Sequence, residues 1–565
     1  MNSIKTAIYC SLGGTMLLGA CQSGTPHKKD RPNILIAISD DQSWLHTSFA
    51  GCKFVNTPGF DRIAGNGIYF SNCYAGSPGS APSRSSLVTG RYHWQNEQSG
   101  QHASSWMKKH VPFADLLADN GYYTGFTGKG VGPFQYARNE TDSLWRKENA
   151  AGPAFNSYQY KKGDEGDERS AGGIGGNNYY ANFRDFMNRR DAGKPFYFWY
   201  GASEPHRDYE KDSWKRNGKD LKMAEVPGFL PDNDEIRGDL LDYAVEIEWF
   251  DLHLVRMLDY LDSIGELNNT IVIVTGDNGM PFPRAKANCF EYGVHVPLAI
   301  SYPVGFPGKR IVDDPVSFTD FAPTILEMTG TGADGMMPIY GRSLVKILRS
   351  KKSGIVDGTK KYIFAGRERH SSSRYDNLGY PQRAIRSAQY LLLWNMKPDL
   401  WPAGDPQRLK PGSETELLPL FGIDEAGKHI SDWAFTDVDA APSKSFIVEN
   451  HSDEEINRFF NLAFVKRPEY ELYDVINDPD CLINLSGNPE FLTVEQEMKD
   501  ELIQELTRSE DPRIVGPDTE IFDTYIRYSP MREFPGPLPL RGIASLLPFY
   551  GTSSLCSFGS AKIRN

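Results

Sequence analysis

Cysteine is scarce in this sequence. Seven are scattered over 565 residues, at Cys10, Cys21, Cys52, Cys73, Cys289, Cys481 and Cys556. The first two fall in the N-terminal segment. The other five follow neither a disulfide framework nor the paired spacing of a zinc site, and the pairing of Cys52 and Cys73 stays open. Positive charge is also short: 61 Lys and Arg face 73 Asp and Glu, for a net charge of −12. A general nucleic-acid binder needs a basic face, so no nucleic-acid partner is expected. An anionic substrate is still allowed, because a small pocket on an acidic protein can be locally basic. There is no internal repeat. The apolar stretch within Met1–Ala20 is too short to span a bilayer as a stable helix. What is present suffices for a core: 39% of residues are hydrophobic and 24% charged. The length suggests two or more domains.

The N-terminus reads MNSIKTAIYCSLGGTMLLGAC: Lys5, an apolar run, then two small residues before Cys21. This is similar to a bacterial lipoprotein signal, in which the cysteine becomes the lipidated first residue. The expectation is a signal peptide over 1–20, lipidation at Cys21, a tether over 21–31, and an exported, lipid-anchored protein in the periplasm or outer membrane of a Gram-negative bacterium. An ordinary secretory signal is the alternative.

Beyond the tether, continuous apolar runs mark strands buried on both faces: NILIAIS (33–39), PFYFWYGAS (195–203), NTIVIVTGDNG (269–279) and PLAISYP (297–303). Helical patterns alternate with them, notably Glu235–Ile264, closed by Gly265. Residues 32–350 therefore read as an α/β domain with a mostly parallel sheet flanked by helices. After the polar linker SKKSGIVDGTKK, residues 351–565 read as a smaller α+β domain with a proline-rich tail. Ligands of such sheets collect at the C-terminal strand ends. Asp40, Asp41, Lys129, His206, Asp277 and Asn278 all fall there.

Four oxygen side chains at two strand ends, Asp40, Asp41, Asp277 and Asn278, would repel one another without a cation. An all-oxygen set suits Ca²⁺ or, second, Mg²⁺, rather than Zn²⁺. Lys129, His206, Lys286 and Arg84 at the same edge make a pocket for a tetrahedral anion.

The stretch GSAPSRSSLVTGR, Gly79–Arg91, resembles the signature of the formylglycine-dependent sulfatase family, Cys or Ser followed by x-Pro-Ser-Arg. The resemblance extends over nearly the whole mature chain, through ISDDQ, TGDNGMPFP, Lys286 with FEYGVHVPL, and YELYDVINDPDCLINL. SDDQSW, TGRYHWQ, GKGVGP, EPHR and DNGMPFP are most similar to the heparan N-sulfatase branch. It implies an alkaline-phosphatase-like large domain and a Ser80 converted to formylglycine. It also implies one Ca²⁺ per chain on Asp40, Asp41, position 80, Asp277 and Asn278. A serine rather than a cysteine implies an anaerobic-type sulfatase-maturating enzyme as partner. Arg84, Lys129 and Lys286 would neutralise the sulfuryl group, and His206 would protonate the leaving nitrogen or oxygen. Two positions depart from the family: Val131 stands where many members have a histidine after the strand-end lysine, and Ser203 replaces the first histidine of HxPH.

The expected substrate is a sulfated glycan, with N-sulfoglucosamine of heparan-type saccharides first and an O-sulfated sugar second. Glu204, Arg207, Arg367, Glu368 and His370 are the expected sugar contacts, placed beside His206 or in GRERH. A phosphodiesterase or phosphonate hydrolase of the same superfamily, and an unmatured glycan-binding lipoprotein, are the competing readings.

Overall fold

The structure, a computed structural model, describes residues 31–136, 146–413 and 415–528. The signal segment, Cys21, nearly all of the tether and the proline-rich tail lie outside the described residues.

The larger sheet holds β1 (Asn33–Ser39), β2 (Ile68–Tyr74), β3 (Tyr123–Gly128), β4 (Phe196–Gly201), β5 (Thr270–Gly276), β6 (His295–Ser301), β7 (Arg310–Val312) and β8 (Val316–Ser317). Its order is β3-β4-β1-β5-β6-β2-β7, with β8 also pairing β2. All pairings are parallel except those of β6, which runs against β5 and β2. Every residue of β1, β4 and β5 is buried, as continuous apolar runs require when both faces are covered.

Alternation along β1 divides the core. Ile34, Ile36 and Ile38 pack with Leu87, Val88, Leu117 and Ile325 on one face. Leu35 and Ala37 pack with Phe60, Phe183, Trp249 and Leu254 on the other. The long helix Asp234–Ser263 covers that second face and is capped by Asn233, whose side chain accepts from the backbone N–H groups of Glu235 and Ile236.

A second sheet holds β9 (Ile363–Arg367), β10 (Gln382–Arg386), β11 (Tyr390–Asn395) and β12 (Tyr470–Asp474), antiparallel in the order β12-β11-β10-β9. It docks on the first region through two shared cores. Tyr74, Phe290 and Val294 meet Ile363, Leu391 and Tyr473; Tyr92 and Trp94 meet Ile385, Leu392 and Leu502. The architecture is thus α/β with a mostly parallel sheet, plus a smaller antiparallel α+β part. Among the described residues, Cys52, Cys73, Cys289 and Cys481 are all free, and no helix is long and apolar enough to cross a membrane.

Candidate active site

The site forms where β1 and β5, paired in register from Asn33↔Thr270 to Ser39↔Gly276, end side by side. Successive residues of a strand point to opposite faces. Asp41 escapes that rule with a left-handed φ of 76°, which turns the chain so that Asp40 and Asp41 both reach the same spot. Left-handed backbone costs a non-glycine residue about 1 kcal/mol, least for Asp and Asn. The Asp41 N–H is held by Asp277 Oδ1 at 3.0 Å. At the ends of β3 and β4, a Cβ on Gly201 would lie 1.9 Å from the Lys129 carbonyl oxygen, so only glycine lets the lysine come in this close.

The stretch 80–89 is a fully buried helix that starts at Ser80 after extended Gly79 and stops at left-handed Gly90. Pro82 fits its first turn, where no intrahelical N–H partner is needed. Ser80 and Arg84 are one turn apart and share a face. Ser80 Oγ donates to Asp40 Oδ1 at 2.8 Å, lies 3.4 Å from Asn278 Oδ1, and accepts from Lys129 Nζ at 3.0 Å. Lys129 Nζ also reaches Asp40 Oδ2 at 2.6 Å. Arg84 is fixed by Asp277 Oδ2 at 2.8 Å and by the carbonyls of Lys129 and Gly130. Its buried Nη2 has no hydrogen-bond partner and points at Asp40 Oδ1, 3.7 Å away.

On the other flank, Lys286 Nζ sits between Asp41 Oδ2 (2.6 Å) and Asp439 Oδ2 (2.9 Å). His206 Nε2 lies 3.9 Å from Asp41 Oδ2, while its Nδ1 faces the Arg207 carbonyl oxygen at 2.7 Å. That carbonyl can only accept, so Nδ1 carries a proton and Nε2 is the atom turned to the site.

Carboxylate oxygens of Asp40, Asp41 and Asp277 lie within 4.8 Å of one another, all buried. Burial raises the Asp40 carboxyl, but Lys129, His206, Arg84 and Lys286 outweigh it and hold the group far below the carboxylate range. Asp41 moves the other way: burial pushes it up more than Lys286 and His206 pull it down, and Asp40 and Asp277 add to the rise. Lys286 loses charge stability to burial but regains more from Asp41, Asp439 and Asp40, so its ammonium stays above the usual lysine range. Asp41 is therefore short of compensating positive charge, and the all-oxygen donors around it fit a hard divalent cation. The arrangement is an acidic cluster able to hold a metal, bordered by cations able to hold an anion.

Four of the five expected sugar contacts already have partners within the protein. Glu204 is buried and already accepts from Tyr179 Oη at 2.6 Å and the Gly175 N–H at 3.0 Å. Arg207 is locked in a two-toothed pair with Asp239 and stacked on Tyr209 and Phe282. Arg367 is buried against Asp437 at 2.5 Å. Glu368 is buried between Arg383 and Arg513, both at 2.7 Å. Glu204, Arg207 and Glu368 thus spend their polar groups inside the protein, whereas Arg367 keeps Nε and Nη1 without a hydrogen-bond partner. His370, half-buried, stays near the nucleophile position: a Cβ on Gly79 would lie 2.9 Å from its Nδ1. Burial pulls its pKa down to about 3, so it is neutral. His102 stands beside it, with ring centroids 5.8 Å apart. Val131 is wholly buried and carries no chemistry.

Sequence reasoning missed Asp439. It sits in FTDVDAAPS with no strand or helix pattern to give it a direction; its only mark is a carboxylate three residues before a Pro-started helix, Pro442–Glu449.

The ulvan-active sulfatase of Formosa agariphila is 26% identical over 519 residues, spanning 87% of this chain and 78% of the relative. Human N-sulphoglucosamine sulphohydrolase is 24% identical over 548 residues, spanning 89% and 94%. A solved structure of a protein in complex with its substrate D-glucosamine-2-N,6-O-disulfate superposes with a TM-score of 0.55 at 19% identity. It covers 85% of this chain and 98% of that one, a likeness of fold. The sulfatase family itself matches residues 32–331, the stretch that carries every strand of the larger sheet and all of the strand-end cluster except Asp439. With that match over more than half its length, the chain belongs to the sulfatase family and is a sulfuric ester hydrolase.

Proposed function

We propose that the chain removes sulfate from a sulfated glycan, N-sulfoglucosamine of a heparan-type saccharide first, through formylglycine at position 80 and one Ca²⁺. The observation that carries this reading is the Ser80 Oγ environment: Asp40 at 2.8 Å, Lys129 at 3.0 Å and Asn278 at 3.4 Å, at the head of a buried helix. Asp40, Asp41, Asp277 and Asn278 would hold the ion, which would supply Lewis-acid charge beside position 80. Formylglycine there would supply a hydrated aldehyde, an oxygen nucleophile able to re-form its carbonyl afterwards, which serine cannot do.

The chain's own residues do the rest. The unpartnered Arg84 Nη2 donates into the space beside position 80. Lys129 and Lys286 hold sulfuryl oxygens from opposite flanks, and these point charges grow in value as charge develops in a water-poor pocket. His206 presents Nε2 to the leaving atom and, acting as an imidazolium, would give it the Nε2 proton while Nδ1–H stays on the Arg207 carbonyl.

The human relative's name supports the N-sulfated substrate. The burial of Glu204 and Glu368 favours the second reading, an O-sulfatase, because it withdraws two carboxylates expected beside a forming amine. A panel of defined N-sulfated and O-sulfated saccharides, with released sulfate measured, decides. Turnover of O-sulfated members alone would overturn the N-sulfatase reading. We further propose export with a lipid anchor at Cys21 and maturation of Ser80 by an oxygen-independent enzyme. The Ser80 peptide should then weigh two hydrogens less than the unmodified one.

A further inference from the structure

We propose that Asp439 is a positioning residue for the hydrolysis: it anchors the Lys286 ammonium at the sulfuryl pocket when Asp41 is committed to a cation. The inference rests on the metal placement proposed above. Lys286 Nζ divides its bonds between Asp41 Oδ2 and Asp439 Oδ2, at 2.6 and 2.9 Å. Asp41 is a member of two clusters, one with Asp40 and Asp277 and one with His206 and Asp439. A metal on the first cluster competes with Lys286 for the Asp41 carboxylate. Asp439 belongs to the second cluster only. It therefore remains as the lysine's counter-charge, on the side where His206 Nε2 also points.

The surroundings of Asp439 are built to be rigid. Two residues before it, Asp437 is clamped by Arg367 at 2.5 Å and Arg374 at 2.8 Å, and its side chain accepts from Ser371. Four residues after it, the Ser443 N–H reaches Asp239, the residue that locks Arg207 beside His206. Ile447 and Val448 then bury against Ile236 and Leu240 of the long helix. A carboxylate held from both sides of the chain can fix a four-carbon flexible amine, whose rotamer freedom would otherwise blur its aim. Arg367 thus serves the site through the backbone that carries Asp439.

The test uses the matured, Ca²⁺-loaded enzyme with Asp439→Asn, Lys286→Ala and the double variant. Asp439→Asn should lower kcat/KM roughly 10–100-fold. The double variant should be no worse than Lys286→Ala alone, within about twofold, because residues acting as one unit do not add. Asp439→Glu, which keeps the charge, should recover part of the loss. A kcat/KM for Asp439→Asn within twofold of wild type, or losses that multiply in the double variant, would overturn the proposal. If the wild type releases no sulfate from any saccharide tested, the substrate reading fails separately. Inorganic sulfate binding by calorimetry then decides: affinity at least about fivefold weaker in both single variants supports the anchor, and unchanged affinity in Asp439→Asn overturns it. Should Asp439→Asn not fold, Asp439→Glu carries the same titration, with an affinity between wild type and Lys286→Ala expected and one equal to Lys286→Ala overturning.

Discussion

Two buried charge clusters lie within this molecule, and they are built differently. At the ends of β1 and β5, carboxylates face two lysines, a histidine and one arginine, Arg84, and the cluster is ajar: the Lys129 and His206 side chains are 22% and 35% exposed. Behind β9 and β10, Glu368, Asp437 and Asp511 face Arg367, Arg374, Arg383 and Arg513, and every one of these side chains is 3% exposed or less. An arginine fork can hold a carboxylate by two parallel bonds, as Arg513 and Arg383 hold Glu368 and Asp511, whereas lysine is a point charge and histidine carries a movable proton. Buried charge alone is thus no sign of a site. Access separates chemistry from scaffolding, since each cluster holds an arginine with an unpartnered nitrogen, Arg84 in one and Arg367 in the other; in the proposal above, the structural cluster steadies the chain around Asp439.

The harshest way to break the contrast is Ser80→Ala. If the open cluster works through position 80, sulfate release should fall by at least about 10⁴-fold. The unfolding temperature should barely move, because the hydroxyl leaves Asp40 still paired with Lys129 at 2.6 Å. Residual activity within tenfold of wild type would sink the role given to position 80. Next in size is Asp40→Ala, expected to cost roughly 10³-fold in turnover through loss of bound metal. Its calcium content, read by elemental analysis, should fall together with the thermal stabilisation that added Ca²⁺ gives the wild type. Full activity after exhaustive chelation would count against any metal in the open cluster.

The contrast also shows what could be read in advance. Continuous apolar runs ending in Asp40-Asp41 and Asp277-Asn278 marked β1 and β5 and the oxygen side chains after them, because a fully buried parallel strand has no other pattern. Ser80 and Arg84 were marked by the resemblance of Gly79–Arg91 to a family signature, and the structure sets them on one helix face. The closed cluster defeated the same reasoning. Glu368 and Arg207 carry charge close in sequence to the site, and sequence does not show which partner neutralises them. Those partners are remote: Arg513 meets Glu368 across 145 residues, and Asp511 meets Arg383 across 128. Asp439 was invisible for the same reason, its lysine lying 153 residues away. Proximity in the chain located the strand ends, and only the tertiary fold could say which charges were spent.

Within the closed cluster the expected loss is one of stability rather than rate. Glu368→Gln keeps the shape but removes the counter-charge of two buried guanidinium groups, Arg383 and Arg513. Breaking such a buried pair costs about 3 kcal/mol. Denaturant unfolding should show that loss, while KM for the sugar stays within twofold, since Glu368 spends its charge on Arg383 and Arg513. A KM raised tenfold with stability unchanged would return Glu368 to the pocket.

The smallest effect is the pH dependence of that same difference. Burial alone would raise the Glu368 carboxyl, but Arg513 and Arg383 hold it below its ordinary value of 4.5. A carboxyl depressed in the folded state contributes stability that is complete above its unfolded pKa and is lost as pH falls through the folded one. Wild type should therefore exceed Glu368→Gln by its full margin at pH 6 to 7, and the margin should begin to shrink only below pH 4.5. The variant cannot lose what it lacks, so its own acid limb should be shallower. Asp437, also depressed far below the carboxylate range by Arg374 and Arg367 against its burial, remains ionised in both proteins and cancels from the comparison. Measuring unfolding free energy of the pair from pH 3 to 7 isolates the Glu368 contribution. A margin that widens on acidification would mean that Glu368 is neutral in the folded protein, and that its pairs with Arg383 and Arg513 are not the ion pairs their geometry describes.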